Sequence, residues 1–459
     1  MHIENRIVSR QTGWKSAARY LPSVLVTLTY LLAGSRLFRL ISRYSVNILL
    51  WDQWDVDDAT LFQRHSVWEM FRWQYGPHRQ GLGALVQKAI DPALHWNSRY
   101  EGFAIGAIIF VAAVLALWLK VRLSGGIGCA DIVIPLLFLT PLQYERVMAA
   151  INPTQGPLPM LLAVLYCACW VIPSYRWKYA GVLLANFLLT YTGYAVFFGF
   201  ITPGLLALDY WGNTRHLGSR ERWWTGAAVA LSIASLASFF VGYTFQPAVD
   251  CFSAMPSNPA DYLRYVGTMF VHVGGFRIGN LTLSALVGLM VLLALGVGAG
   301  LAVKRMLRGS QMWARDAAIV ALLAYVAAFS LSAAYGRECL GLRDATSSRH
   351  TEWLVLGFFG LYLSALSISR RRWRGLLIVV LVVFSLHSAK RLNHMDAGEL
   401  RGISEGKRAW RECYLARRDI QECDAASAFR IHPNSTATHL REKLDFLERK
   451  RLNLFDGTQ

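Results

Sequence analysis

Carboxylates beside a lipid bilayer are costly unless they do something. This chain places four of them, Asp52, Asp55, Asp57 and Asp58, within seven residues just past its first apolar segment. Such a cluster can take a proton from an attacking hydroxyl or hold a hard cation such as Mg²⁺ or Mn²⁺. A plainer use is helix capping, which suits Asp57 and Asp58 because they directly precede an apolar-periodic stretch.

A second constellation is Gly336-Arg337-Glu338-Cys339-Leu340-Gly341-Leu342-Arg343-Asp344-Ala345-Thr346-Ser347-Ser348-Arg349-His350. A guanidinium offers a planar fork of donors that fits phosphate oxygens two at a time. The glycines and the serine pair let backbone amides approach an anion, although no P-loop spacing is present. Lipid headgroup binding by a surface loop is the simpler alternative. Between two amphipathic stretches of the first loop, Tyr75-Gly76-Pro77-His78-Arg79 reads as a Gly-Pro turn that presents an imidazole beside a permanent cation. Gln143, Tyr144, Glu145 and Arg146 form a weaker group. Tyr144 and Glu145 could line an acceptor site, while a solvated Glu145–Arg146 pair is the plainer reading. Asp261, Arg264 and Tyr265 recur at helical spacing on a segment that could re-enter the membrane, without requiring a chemical role.

The elements that must position these residues follow from composition. Of 459 residues 54% are hydrophobic and only 17% charged, which excludes an ordinary soluble fold and predicts an all-α polytopic membrane protein. Apolar segments near 21–41, 102–119, 130–142, 155–173, 179–191, 194–208, 223–242, 280–303, 316–335, 352–369 and 375–389 predict about eleven spans, within a range of nine to thirteen. Net charge +18 comes without any nucleic-acid motif, and the basic residues fall on alternate loops. Arg6, Arg10, Lys15 and Arg19, then Lys120 and Arg122, Arg176 and Lys178, Arg215, Arg220 and Arg222, Lys304, Arg305 and Arg308, and Arg370 to Arg374 share one side. The positive-inside rule makes that side, and the N-terminus, cytoplasmic. Every chemically interesting loop then shares the external face. The arginine loop lies where that rule disfavours arginine.

The membrane domain is expected over 1–389, with a long first external loop at about 42–101. Leu61, Phe62, Trp68 and Phe71 fit one amphipathic helix there, and Leu82, Leu85, Val86, Ala89 and Ile90 a second, both lying in the interface. The tail 390–459 carries fourteen Lys/Arg and eleven Asp/Glu. It predicts a small external helical unit with an apolar stripe Leu440, Leu444, Leu447, docked on the first loop because seventy residues make a marginal core alone. Cys251, Cys339, Cys413 and Cys423 all fall outside the spans in the compartment where disulfides persist, and Cys413 with Cys423 could staple the tail.

Taken together, an acidic motif soon after the first span, Asp52-Gln53-Trp54-Asp55, a later His78-Arg79, the Gly336-Arg337, Gly341, Ala345, Ser348-Arg349-His350 loop and the external tail resemble the GT-C superfamily of membrane glycosyltransferases, in particular bacterial members using a polyprenyl-phosphate sugar. Pro77 and His350 depart from the expected pattern, where an acidic residue and a tyrosine would stand. The resemblance implies a first-loop aspartate as general base, Asp52 before Asp55. It implies a carrier phosphate held by His78, Arg79, Arg337, Arg343, Arg349 and His350. The donor would be a polyprenyl-phosphate-linked sugar, the acceptor an external glycan or lipid, and the location a bacterial inner membrane; a divalent cation is left open. The competing readings are an O-antigen-ligase or polymerase-like enzyme, and a lipid-linked-sugar flippase. The flippase would carry its ionisable groups within the spans.

Overall fold

The computed structural model describes residues 4–63, 65–214, 218–247, 249–253, 258–276, 279–390, 396–435 and 438–457, without the side chains of 4–19, 59 and 396. Arg215, the start of the tail at 391–395 and the side chains of Arg6, Arg10, Lys15 and Arg19 lie outside it. The chain is an all-α membrane protein. Among the described residues the only sheet is a two-residue hairpin.

Helix α1 (Glu4–Tyr44) runs into the first loop. There the chain makes α2 (Gln53–Asp57), a π-turn at Asp58–Phe62 and α3 (Val67–Phe71). Next come the hairpin β1 (Gln74–Tyr75) and β2 (His78–Arg79) and then α4 (Gly81–Ile90). The expected single helix through Leu61 and Phe71 is broken. Gln63 is extended, and a reciprocal capping box between Ser66 and Glu69 starts α3 afresh. The Gly-Pro turn forms as the spacing predicts, with Gly76 at φ +55°.

The membrane helices follow. Asn97 caps α5 (Ser98–Ser124) by accepting from two amides. A half-helix α6 (Val133–Phe138) stops before Pro141, and α7 (Pro157–Cys169), α8 (Tyr175–Thr190), α9 (Phe197–Gly212) and α10 (Ser219–Phe240) come next. Helix α11 (Ala260–Val273) lies antiparallel to the first turns of α12 (Leu281–Leu307), and α13 (Trp313–Arg337), the one-turn α14 (Leu342–Ala345), α15 (Thr351–Leu366) and α16 (Arg371–Lys390) complete the bundle. All eleven apolar segments contain helix. Among the described residues seven helices are long and apolar enough to cross a membrane: Tyr20–Tyr44, Ser98–Ser124, Gly193–Gly212, Ser219–Phe240, Leu281–Leu307, Trp313–Leu340 and Arg371–Lys390. The segments near 130–142, 155–173, 179–191 and 352–369 give shorter helices. Of the long ones, the central helix is α13, with 72% of its apolar window buried against 17% for α16. Leu286, Leu293, Val379 and Val383 are among many exposed apolar side chains on the peripheral helices. Surface of that kind needs lipid around it.

The connections sort into two ends. Helices α1, α8, α10 and α13 finish, and α9 and α15 begin, at the end that carries Asp52, the β-hairpin and the arginine loop. The basic loops gather at the opposite end, where buried charges are paired. Lys120 Nζ meets Asp131 at 2.7 Å, Lys178 Nζ meets Asp209 at 2.5 Å and Arg305 meets Asp316 at 2.6 Å. These are closed ion pairs, each between two helix ends. They need no transported ion to explain them.

The tail forms α17 (Asp396–Arg417), α18 (Ile420–Ser427) and α19 (Leu440–Lys450). Leu440, Leu444 and Leu447 share a buried cluster with Trp410, Tyr414 and Cys423 and with Ile48, Leu49, Leu50 and Trp54 of the first loop. Tail and loop thus complete one core between them. Disulfides join Cys413 to Cys423 within the tail and Cys251 to Cys339 between two loops.

Candidate functional site

A cavity of about 330 Å³ opens at the end of the bundle that carries the acidic motif. Asp52, Tyr75, His78, Arg146, Gln155, Tyr194, Arg337, Arg349, His350 and Trp353 line it. Five of these, Asp52, His78, Arg337, Arg349 and His350, are residues the sequence singles out from three separate segments.

Local folding explains how Asp52 reaches the cavity. Trp51, just before it, takes the left-handed φ of +52°, a strained conformation for a bulky residue. The tail holds it there: Trp51 N donates to the Ile431 carbonyl at 2.7 Å, and Lys443 Nζ donates to the Trp54 carbonyl at 2.6 Å. The Asp52 side chain makes no capping bond to α2. It is about one-third exposed, and its nearest cation is Arg146 Nη1 at 3.9 Å.

The four clustered carboxylates diverge. Asp55 accepts from the Tyr75 hydroxyl at 3.2 Å and faces His432 Nε2 at 3.4 Å, so it ties the loop to the tail and does not line the cavity. Burial works to raise its pKa, but the His432, Thr438 and Lys443 contacts outweigh this and hold the carboxyl below its ordinary value. Asp57 and Asp58 do not cap as expected. Asp57 is buried and accepts from Thr60 Oγ1 at 3.1 Å, whereas Asp58 pairs with Lys443 at 3.0 Å. Among the described residues no three His, Cys, Asp or Glu side chains converge as metal ligands.

The arginine loop is built on two carboxylates, the half-buried Asp344 and the buried Glu145. Arg337 uses Nε (2.9 Å) and Nη2 (3.4 Å) on Asp344, which also accepts from the Tyr265 hydroxyl at 2.5 Å. Burial opposes the charge on Asp344, yet His350 and Arg337 together hold its pKa far below the carboxylate range. Arg349 Nη2 pairs with Glu145 at 3.1 Å, and Ser347 Oγ accepts from Arg349 Nε and donates to Glu145, each at 2.9 Å. Each guanidinium carries five N–H donors in a rigid fork, and these contacts use only Nε and Nη2, so both arginines, which line the cavity, keep donors for a further partner. His78, wedged at 4.0 Å from the Tyr194 ring, has its pKa pushed down to about 3 by burial and by Arg337. Burial likewise lowers the His350 pKa, against the pull of Asp344. Both imidazoles are therefore neutral and each can donate or accept one hydrogen bond.

Several candidates take other positions. Arg79 is outside the cavity: it is buried, with Nε on the Phe239 carbonyl (2.8 Å), Nη1 on that of Arg72 (2.5 Å) and Nη2 on that of Val241 (2.7 Å). It pins the hairpin to the end of α10. Arg343 is exposed and lines a neighbouring cavity of about 790 Å³, together with Trp51, Glu145, His272 and Glu399. Glu145 is buried beneath Arg349 and not in a solvated pair with Arg146, while Tyr144 is buried in the main core. Tyr265, given no role by its spacing, holds Asp344. Arg146, for which the sequence favours a solvated pair with Glu145, is buried and lines the cavity. Its position before the apolar run Val147-Met148-Ala149-Ala150-Ile151 was the available signal that it is buried.

No known protein family matches this chain, and no curated protein resembles it in sequence.

Proposed function

We propose that this chain is a GT-C-type integral-membrane glycosyltransferase that moves a sugar from a polyprenyl-phosphate carrier to a glycan or lipid acceptor. The site would lie on the external face of a bacterial inner membrane, with the N-terminus cytoplasmic. One observation carries the reading: a single cavity at one end of the helix bundle is lined by a carboxylate, Asp52, two arginines, Arg337 and Arg349, and two neutral imidazoles. In the transfer the acceptor hydroxyl oxygen bonds to the sugar's anomeric carbon, the bond from that carbon to the phosphate oxygen breaks, and Asp52 takes the hydroxyl proton. Arg337 and Arg349 stabilise the charge that grows on the departing phosphate, and His78 and His350 complete its hydrogen bonds.

The test is titration of a short-chain polyprenyl-phosphate sugar against purified variants. A charge-assisted hydrogen bond contributes about 1.5–3 kcal/mol, so Arg349→Ala weakens donor binding by about one to two orders of magnitude. Because Arg349 also neutralises Glu145, the alanine change is made together with Glu145→Gln. Arg349→Lys recovers only part, since an ammonium lacks the two-donor fork. Unchanged affinity in the double variant would return the loop to general headgroup binding.

A further inference from the structure

Glu352, in the first turn of α15, is fully buried, yet among the described residues no other residue hydrogen-bonds its carboxylate oxygens, and its own backbone N–H is the one donor acting on them. It stands directly behind the cavity wall. Trp353, the next residue, lines the cavity, and so does Gln155, whose neighbour Gly156 packs on the Glu352 side chain. A Cβ at Gly156 would come within 2.9 Å of Glu352 Cδ. The glycine keeps room for this carboxyl.

The charged groups acting on Glu352 are Arg146 and Glu145. Glu145 is already held by Arg349 and Ser347. Arg146 is not fully held: it is buried, its Nε has no partner, and its closest carboxylate contact is the 3.9 Å approach of Nη1 to Asp52. One guanidinium thus acts on three carboxyls, Asp52, Glu145 and Glu352, and hydrogen-bonds none of them; only Glu145 is paired with another cation, Arg349. A buried carboxyl with no donor beyond its own backbone N–H is stable only when it is protonated or when a cation turns to it.

We infer that Glu352 is a positioning residue that competes with Asp52 for Arg146. With Arg146 turned outward, Asp52 is paired and Glu352 holds a proton. When Arg146 turns inward, Glu352 releases that proton to the cavity water and Asp52 is left unpaired, free to take the acceptor's proton. After transfer Asp52 gives its proton to solvent, Arg146 swings back and Glu352 takes up a proton again. This rests on the reading of Asp52 as the base.

Glu352→Gln keeps the shape and removes the charge. Arg146 then has no inward partner and stays with Asp52. The expected result is a kcat lowered about tenfold or more, an acid limb of kcat moved to lower pH and an unchanged KM for the polyprenyl-phosphate sugar. Glu352→Asp should recover part of the rate, and the effects of Glu352→Gln and Arg146→Gln on kcat should fail to add. Wild-type kcat and pH limb in Glu352→Gln, or strict additivity, would overturn the proposal. Infrared spectroscopy tests it without turnover. The wild-type minus Glu352→Gln difference spectrum should contain a protonated-carboxyl band, and Asp52→Asn should convert that band to carboxylate because Arg146 is released inward. A band that persists in Asp52→Asn overturns the shared-arginine inference. The expected infrared response in a protein that transfers no sugar would overturn only the glycosyltransferase reading.

Discussion

Within the acidic motif, four aspartates that look equivalent in sequence have four different partners, and only Asp52 faces the cavity. Asp52→Asn is therefore expected to lower transfer by at least about a hundredfold with donor affinity retained. Asp55→Asn should keep turnover and weaken the tail's hold on the loop by about 1 kcal/mol, read as a shift in thermal unfolding. Residual activity divided the other way would make Asp55 the base. His78 supplies a pH dependence. Its folded pKa, near 3, lies below the ordinary histidine value of about 6.5. Between those values the unfolded chain binds more protons than the folded one, so stability is fully present above about pH 6.5 and falls on acidification. His78→Gln should flatten that slope in unfolding measured from pH 7 to pH 5; an unchanged slope would assign it to other groups. The sequence made Asp52, His78, Arg337, Arg349 and His350 legible because their types suit acid/base and phosphate chemistry. It misassigned Arg79 because adjacent residues on a strand point to opposite faces: His78 reaches the cavity, and Arg79 turns into the backbone of α10. The pairing of Arg349 with Glu145 spans about two hundred positions, and no local pattern announces it.

At the scale of elements, α11 and α12 show how the arginine loop gets its support. Gly267 and Gly288 let the two helices touch: a Cβ on Gly267 would lie 1.9 Å from the Ser284 carbonyl oxygen, and one on Gly288 would lie 2.0 Å from that of Leu263. This close crossing brings Tyr265 to Asp344. Gly267→Ala should cost about 1–3 kcal/mol by overpacking and lower the unfolding temperature in detergent. Gly336→Ala, where the added methyl meets open space, should not. Equal behaviour of the two variants would mean that the crossing is loose. Apolar runs made every membrane helix except α11 legible, but their lengths did not fix which cross. Pro141 ends the 130–142 segment early, and Pro153 and Pro157 bound the link into α7. The amphipathic α11 carried only a weak signal, because Asp261 and Arg264 pair on the helix itself and the partner of Tyr265, Asp344, lies far along the chain.

Across the whole molecule, one end gathers carboxylates, the arginine loop and the tail, and the other gathers basic loops with closed ion pairs. The tail's role was legible as a size argument, since seventy residues needed a partner surface. Its grip on the strained Trp51 was not, because a single left-handed residue leaves no mark in composition. If the site end is external, cysteines at Val67 and Glu442 should react with a membrane-impermeant thiol reagent in cells stripped of their outer membrane, and one at Ser219 should not. The host chain would carry Cys129→Ser to remove an exposed thiol. Gly81 is unsuitable as a labelling position because a Cβ there would strike the Phe71 carbonyl oxygen at 1.9 Å. Labelling of Ser219→Cys alone would invert the orientation. The central claim is that the cavity holds a lipid-linked phosphate opposite Asp52. Its most direct test is structure determination of the Asp52→Asn protein in lipid nanodiscs with a polyprenyl-phosphate sugar. The expected result places the phosphate within hydrogen-bond reach of Arg337 and Arg349, with the sugar turned toward residue 52. Phosphate found instead beside Arg343, or on the lipid-facing surface with none in the cavity, would contradict it.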